Sequence, residues 1–337
     1  MNQKARCKRM QIIGLDIGHR AVKGTDGQKD VLLSSVAMPV AVAPTNLSGK
    51  SEGQIVDVDG EKWIAGIDPD SVSDWSPAFG PKFIESNAWL ALARHSLSQW
   101  QHDKVAVAIG LPSDLYGMSD LRTSARSRLK GVHHVAGRSI EVANVAVIEQ
   151  PCGTARAFLD TPAGKGMAGA VLCIADVGGG TVDARLVQDD KAFPDVGGSL
   201  RPSMIALCQG MVGRVAAKIN VASVAPGLVE RAMRNNGMLS HFGEEIDISD
   251  IIKDGADEMA GRVARWLDGM LQGTSAQGVL LTGGGAEVLF EPLKDRLPKI
   301  VKMDDALMAN ARGFQKILLE AMPVEVPPSD AGLQRVS

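Results

Sequence analysis

Ala175-Asp176-Val177-Gly178-Gly179-Gly180-Thr181-Val182-Asp183 ends an apolar run with a carboxylate and three consecutive glycines. About 160 residues earlier, Leu15-Asp16-Ile17-Gly18-His19-Arg20-Ala21-Val22-Lys23 repeats its outline. A third turn, Leu281-Thr282-Gly283-Gly284-Gly285-Ala286, closes another apolar run near the C-terminus. Glycines open backbone conformations closed to other residues, so successive N–H groups can turn toward phosphate oxygens. An aspartate beside such donors repels ATP unless a cation intervenes. Magnesium suits that role, since it takes one or two carboxylates, phosphate oxygens and retained waters. Lys23 follows Asp16 across a turn between antiparallel strands, which returns its ammonium to the phosphates as a point charge. A lone Asp-x-Gly turn after a strand is usually a plain hairpin. Their order, spacing and lysine specify two similar halves facing one nucleotide.

On this reading Asp16 and Asp176 hold a hydrated Mg²⁺, while Lys23 and the backbones of Gly18, Gly178, Gly179 and Gly180 contact the phosphates of ATP. Thr181 offers a hydroxyl and Asp183 an acid behind the metal.

The three turns resemble phosphate loop 1, phosphate loop 2 and the adenosine loop of the actin and heat-shock-chaperone ATPase superfamily. Within it, the chain looks like the bacterial actin-like plasmid segregation proteins of the ParM/StbA type. Asp59-Gly60-Glu61-Lys62-Trp63-Ile64-Ala65-Gly66 resembles a hairpin of that branch, and Ala309-Asn310-Ala311-Arg312-Gly313-Phe314 resembles its late Ala-Asn-x-Arg-Gly motif. The resemblance implies an α/β actin-like fold: two similar domains, each with a mixed five-stranded sheet flanked by helices, and nucleotide in the cleft between them. It implies domain I over residues 1–152 with an inserted subdomain near 50–100, and domain II over 153–310 with an insert near 213–255. Residues 311–337 become a helix returning to domain I and a flexible tail. His19 and Arg20 join the nucleotide-binding residues of loop 1, at positions where relatives often carry small polar residues.

The resemblance further implies that the strand end at Glu149-Gln150 supplies the residue positioning the attacking water. Aligning on Pro151 selects Gln150, which orients water by donating and accepting hydrogen bonds. Glu149 serves as a true base if the strand ends one residue earlier. The implied activity is ATP hydrolysis coupled to filament assembly, with plasmid DNA reached through a DNA-binding adaptor. A sugar or acid kinase on the same fold, or a cell-shape homologue, are the alternatives.

Composition agrees. A chain of 337 residues exceeds the size at which one core stops growing. Its net charge of −3 gives no general attraction to nucleic acid, and its single tyrosine argues against a base-stacking surface. Cys7, Cys152, Cys173 and Cys208 lack Cys-x-x-Cys spacing, as free thiols in a reducing cytoplasm do. Lys4, Arg6, Lys8 and Arg9 precede an apolar stretch that Asp16 interrupts, so neither a signal peptide nor a membrane anchor is expected.

Periodicity predicts strands at 10–17, 31–42, 105–111, 145–150, 170–175, 184–187, 278–281 and 298–303, with a hairpin over 55–65. Helices are predicted over 86–100, 119–130, 256–270 and 312–320, and Gly197-Gly198 is read as leading into a helix through Ile205, Leu207 and Val212. The basic cluster Arg122, Arg126, Arg128, Lys130, His133, His134 and Arg138 is read as a solvated face.

Overall fold

The computed structural model describes residues 10–50, 52–72, 80–201, 203–297 and 299–322. Cys7, the N-terminal basic residues, Pro298 and the tail from Pro323 lie outside them. In chain order, the first half contains β1 (Gln11–Ile17), β2 (Ala21–Thr25), β3 (Asp30–Ser34), β4 (Ala37–Pro39), β5 (Gln54–Val58) and β6 (Glu61–Ala65). There follow α1 (Pro81–Ile84), α2 (Asn87–Leu97), β7 (Lys104–Leu111), α3 (Ser113–Tyr116), α4 (Ser119–Leu129), β8 (Gly131–Val135) and β9 (Arg138–Glu149). Then α5 (Gln150–Leu159) and α6 (Pro162–Gly166) lead into β10 (Val171–Val177), β11 (Val182–Gln188), β12 (Lys191–Leu200), α7 (Met204–Lys218) and α8 (Pro226–Arg234). The last elements are β13 (Met238–His241), β14 (Glu244–Asp247), α9 (Ser249–Leu271), β15 (Gly278–Thr282), α10 (Ala286–Lys294), β16 (Ile300–Lys302) and α11 (Ala309–Ala321).

The two halves repeat one topology. The second sheet runs β12-β11-β10-β15-β16, antiparallel across its first three strands and parallel across its last three. The first contains the matching order β3-β2-β1-β7-β9 with the same pattern of directions. Parallel neighbours require helical crossovers, and these cover the sheet faces. The central strands β1 and β10 are therefore buried along most of their length and read as unbroken apolar runs.

Three differences from the sequence reading have physical causes. The first sheet holds nine strands, because β8 pairs with β9 and, through Val135 and Val56, carries β5, β6 and β4 onto the same sheet. The hairpin of β5 and β6 thus extends the first sheet beyond the five strands expected. Its turn carries Asp59 and Gly60 at φ of 55° and 84°, the left-handed pair that a tight hairpin demands. Second, Gly197 and Gly198 lie inside β12, and the helix starts only at Met204. Third, the basic helix α4 is tethered rather than freely solvated: Arg122, Arg126 and Arg128 donate to the carbonyls of Tyr116, Val145, Glu85 and Ser86.

The halves meet at α5 and α11. The α11 helix lies on β1 and β7 and against α5, with its Phe314 fully buried. Glycines make this approach possible. A Cβ on Gly313 would fall 1.7 Å from the Gly153 carbonyl oxygen, and one on Gly110 or Gly153 would strike the Phe314 ring at 2.2 or 2.3 Å. Phe314 fills the slot these glycines leave, so backbone contact and a large buried ring occupy the same seam.

Candidate functional site

The strand ladders place the charged residues. On β1 and β2, Asp16 faces Lys23 and Ile17 faces Val22. On β10 and β11, Asp176 faces Asp183 and Val177 faces Val182. Lys23 and Asp183 therefore occupy equivalent positions in the two halves. The turns match as well: the Gly18 N–H donates to the Ala21 carbonyl at 3.2 Å, and the Gly178 N–H to the Thr181 carbonyl at 2.8 Å. A serine hydroxyl then ties down each turn, Ser35 on the Gly18 carbonyl and Ser203 on the Gly178 carbonyl.

Both turns open on a cavity of about 570 Å³ between the halves. Asp16, Gly18, His19, Arg20, Lys23, Gln150, Asp176, Gly178, Gly179, Gly180, Thr181, Asp183, Gly283, Gly284 and Gly285 all line it. The third turn closes on the second: the Gly285 N–H donates to the Val177 carbonyl at 2.9 Å. Gly283 holds φ at 84°, and a Cβ there would sit 2.2 Å from Asp176 Oδ1. Only glycine admits the strand end so close to the carboxylate. An apolar wall of Met204, Ile205, Cys208, Met233 and Val288 completes the far side.

Lys23 Nζ lies 3.0 Å from Asp16 Oδ2, and Gln150 Nε2 donates to Asp16 Oδ1 at 3.0 Å. Asp176 accepts from Asn310 Nδ2 at 2.6 Å, and Asn310 Oδ1 in turn accepts from Thr154 at 2.9 Å. Burial, reinforced by the charges of Asp16 and Asp183, pushes the Asp176 carboxyl up to about 7, against the opposing pull of Asn310 and Lys23. Asp183 is pushed up to about 6, again chiefly by burial, despite hydrogen bonds from Ser199, Thr181 and the Ser113 N–H. A hydrated cation suits this donor set. The Asp16 oxygens and one Asp176 oxygen already accept from side chains, which favours outer contacts through water over direct ligation. Among the described residues no group of three or more His, Cys, Asp or Glu is gathered as a metal cage.

Glu149 departs from its expected place. It does not line the cavity but forms a buried ion pair with Arg185 on β11, whereas Gln150 lines the cavity and reaches Asp16. The strand pairs through Glu149, opposite Leu111, before α5 begins at Gln150. In loop 1, His19 stacks on Phe83 with ring centroids 4.6 Å apart, and Arg20 pairs with Glu230 of α8 across the cleft.

Sequence reasoning missed Asn310 and Thr154 as members of the site. Asn310 stood inside the quoted Ala-Asn-x-Arg-Gly segment, where a polar residue between alanines at a helix start signals a buried partner.

Residues 14–153 match the family model for the N-terminal domain of actin-like proteins, and residues 174–295 that for the C-terminal domain of the archaeal actin homologue MreB-like proteins. The chain belongs to the actin-like proteins. Among solved structures, an archaeal actin homologue, Ta0583, superposes with a TM-score of 0.76 at 18% identity, covering 92% of this chain and 100% of its own. A non-polymerisable quadruple mutant of pCBH ParM gives 0.75 at 17% identity, covering 93% and 100%. The ParM of a 15-stranded Clostridium botulinum filament gives 0.71 at 17% identity, covering 93% and 99%. No curated protein matches in sequence. Among the described residues of this actin-like chain, no helix is long and apolar enough to cross a membrane.

Proposed function

We propose that this actin-like protein binds and hydrolyses Mg²⁺-ATP in the cavity between its halves and polymerises in the ATP state. The observation that carries the reading is the convergence of two equivalent Asp-x-Gly turns, with Lys23 from one and Gln150 beside it, on one cavity. Asp16 and Asp176 hold the hydrated magnesium, which when bound neutralises charge on the phosphate oxygens. Lys23 and the glycine N–H groups hold the phosphates, with the Thr181 hydroxyl beside them. Gln150 donates its amide to Asp16, leaving Oε1 as an acceptor that orients the attacking water. Gly283, Gly284 and Gly285 take the adenosine. The archaeal homologue has been solved in complex with ADP, which supports nucleotide in the corresponding cleft.

In this reading domain I extends to about residue 152 and domain II to about 310, with α11 returning to domain I. Hydrolysis loosens a head-to-tail polymer, the open assembly that a heterologous interface generates. The filament moves plasmid DNA in the cytoplasm through an adaptor, since a net charge of −3 gives the chain itself no pull on DNA.

Light scattering and sedimentation with ATP and magnesium test this, alongside phosphate release. Assembly that decays as phosphate appears is the expected result. A protein that stays monomeric in every nucleotide state while phosphorylating a sugar or acid would overturn it.

A further inference from the structure

Glu149 and Arg185 form an ion pair that the hydrolysis scheme leaves without a role. Arg185 Nε donates to Oε1 and Oε2 of Glu149 at 3.0 and 3.1 Å, and Nη2 donates to Oε1 at 2.7 Å. The remaining arm, Nη1, donates to the Phe193 and Pro194 carbonyls at 3.1 and 2.7 Å. Glu149 ends the last strand of the first sheet, whereas Arg185 belongs to the second, so the pair spans the boundary between the halves. Both residues are at most 9% exposed. Desolvating two charges offsets most of their attraction, and apolar replacements of equal volume are commonly as stable. Stability alone therefore does not account for the pair.

The fold makes room for this guanidinium. A Cβ on Gly197 would lie 2.6 Å from the Ala184 carbonyl oxygen and 2.7 Å from Arg185 Cζ, and the β11–β12 register shifts between Arg185 and Val187. Glycine inside β12 thus leaves room both for the neighbouring strand and for the guanidinium. At the other end of the pair, Glu149 is the N-cap residue of α5, yet its carboxylate makes no capping bond. It turns to Arg185 instead. Pro151, with its fixed φ, follows Gln150, so the residue that reaches Asp16 sits between two restrained neighbours.

We propose that Arg185 is a positioning residue for Gln150. By holding Glu149 toward the second sheet, it fixes the junction of β9 and α5, presents the Gln150 amide to Asp16, and keeps the Glu149 carboxylate out of the cavity. The role in turnover rests on the reading of Gln150 given above; the placement of the amide does not.

Arg185→Met alone strands a buried carboxylate, so the informative protein is the double variant Glu149→Met, Arg185→Met, which removes both charges together. Selective ¹⁵N-glutamine labelling of the nucleotide-free chain reports the Gln150 side-chain amide, assigned by its loss in Gln150→Ala. The expected result is a displaced Gln150 amide signal, ATP affinity essentially unchanged, and single-turnover hydrolysis slowed roughly 10- to 100-fold, the effect of a misplaced reacting group. Arg185→Lys keeps the charge but not the fork and falls between; it carries the same reading if the double variant does not fold. An unmoved amide overturns the proposal whatever the rate; a moved amide with hydrolysis at the wild-type rate upholds the placement and overturns the proposed role of Gln150 in turnover instead. A wild-type chain that hydrolyses no ATP overturns the proposed function instead, and the amide signal then decides alone whether Arg185 positions Gln150.

Discussion

Asparagine in place of Asp176 removes a charge while keeping the shape and the acceptor that Asn310 meets at 2.6 Å. The carboxyl titrates at about 7 in the folded chain against 3.8 for a free side chain. Between those values the folded state holds a proton that the unfolded state has released, so stability falls as pH rises through the window and levels off above it. At about 1.4 kcal/mol per pH unit, the interval corresponds to about 4 kcal/mol. Asp183, pushed up to about 6, adds a smaller fall over a narrower range. Asp176→Asn removes the larger contribution. Without nucleotide or magnesium, the variant gains on the wild type between pH 4 and pH 8, about 6 °C in melting temperature for a chain of this size. Thermal melts across that range measure the difference directly. With Mg²⁺-ATP present the order reverses, because the wild type acquires a counter-charge the variant cannot use, and hydrolysis is lost. Parallel melting curves for the two proteins across the whole pH range would refute the account of a buried, mutually repelling carboxylate cluster.

Three other substitutions probe neighbouring contacts. Asn310→Ala deprives the Asp176 carboxylate of its donor; it costs about 1.5–3 kcal/mol at pH 8, read by denaturant titration, and much less near pH 4, where the carboxyl is protonated. Lys23→Met removes an ammonium aimed at the phosphates, and calorimetry should find ATP binding weakened about 10- to 100-fold, the equivalent of one charge-assisted hydrogen bond. Gly313→Ala places a methyl 1.7 Å from the Gly153 carbonyl oxygen, and the resulting separation of α5 from α11 should destabilise the fold by roughly 3 kcal/mol in a urea titration.

What the sequence disclosed and what it withheld follow the range of the interactions. The turns at Asp16, Asp176 and Gly283 were legible because strand, carboxylate and glycines are adjacent in the chain. The pairing of Val56 with Val135, which makes the first sheet nine-stranded, joins segments far apart and leaves no local mark. Asn310 reaches Asp176 across 134 positions of sequence for the same reason. The choice between Glu149 and Gln150 turned on where a strand ends, a boundary that periodicity fixes only to within a residue or two. The structure pairs Glu149 with Arg185 away from the cavity, and an arginine within an apolar strand was the overlooked sign. Gly197 reads as leading into a helix, whereas it lies inside β12 against the Ala184 carbonyl and the Arg185 guanidinium, contacts that leave no local mark in the sequence.

The matched ladder positions of Lys23 and Asp183 bear on how a duplicated scaffold can read a ligand with two different ends. Were the halves identical at that position, the two turns would set the same charge toward the cleft from either side. One cation opposite one anion breaks the twofold symmetry and gives the cleft a direction.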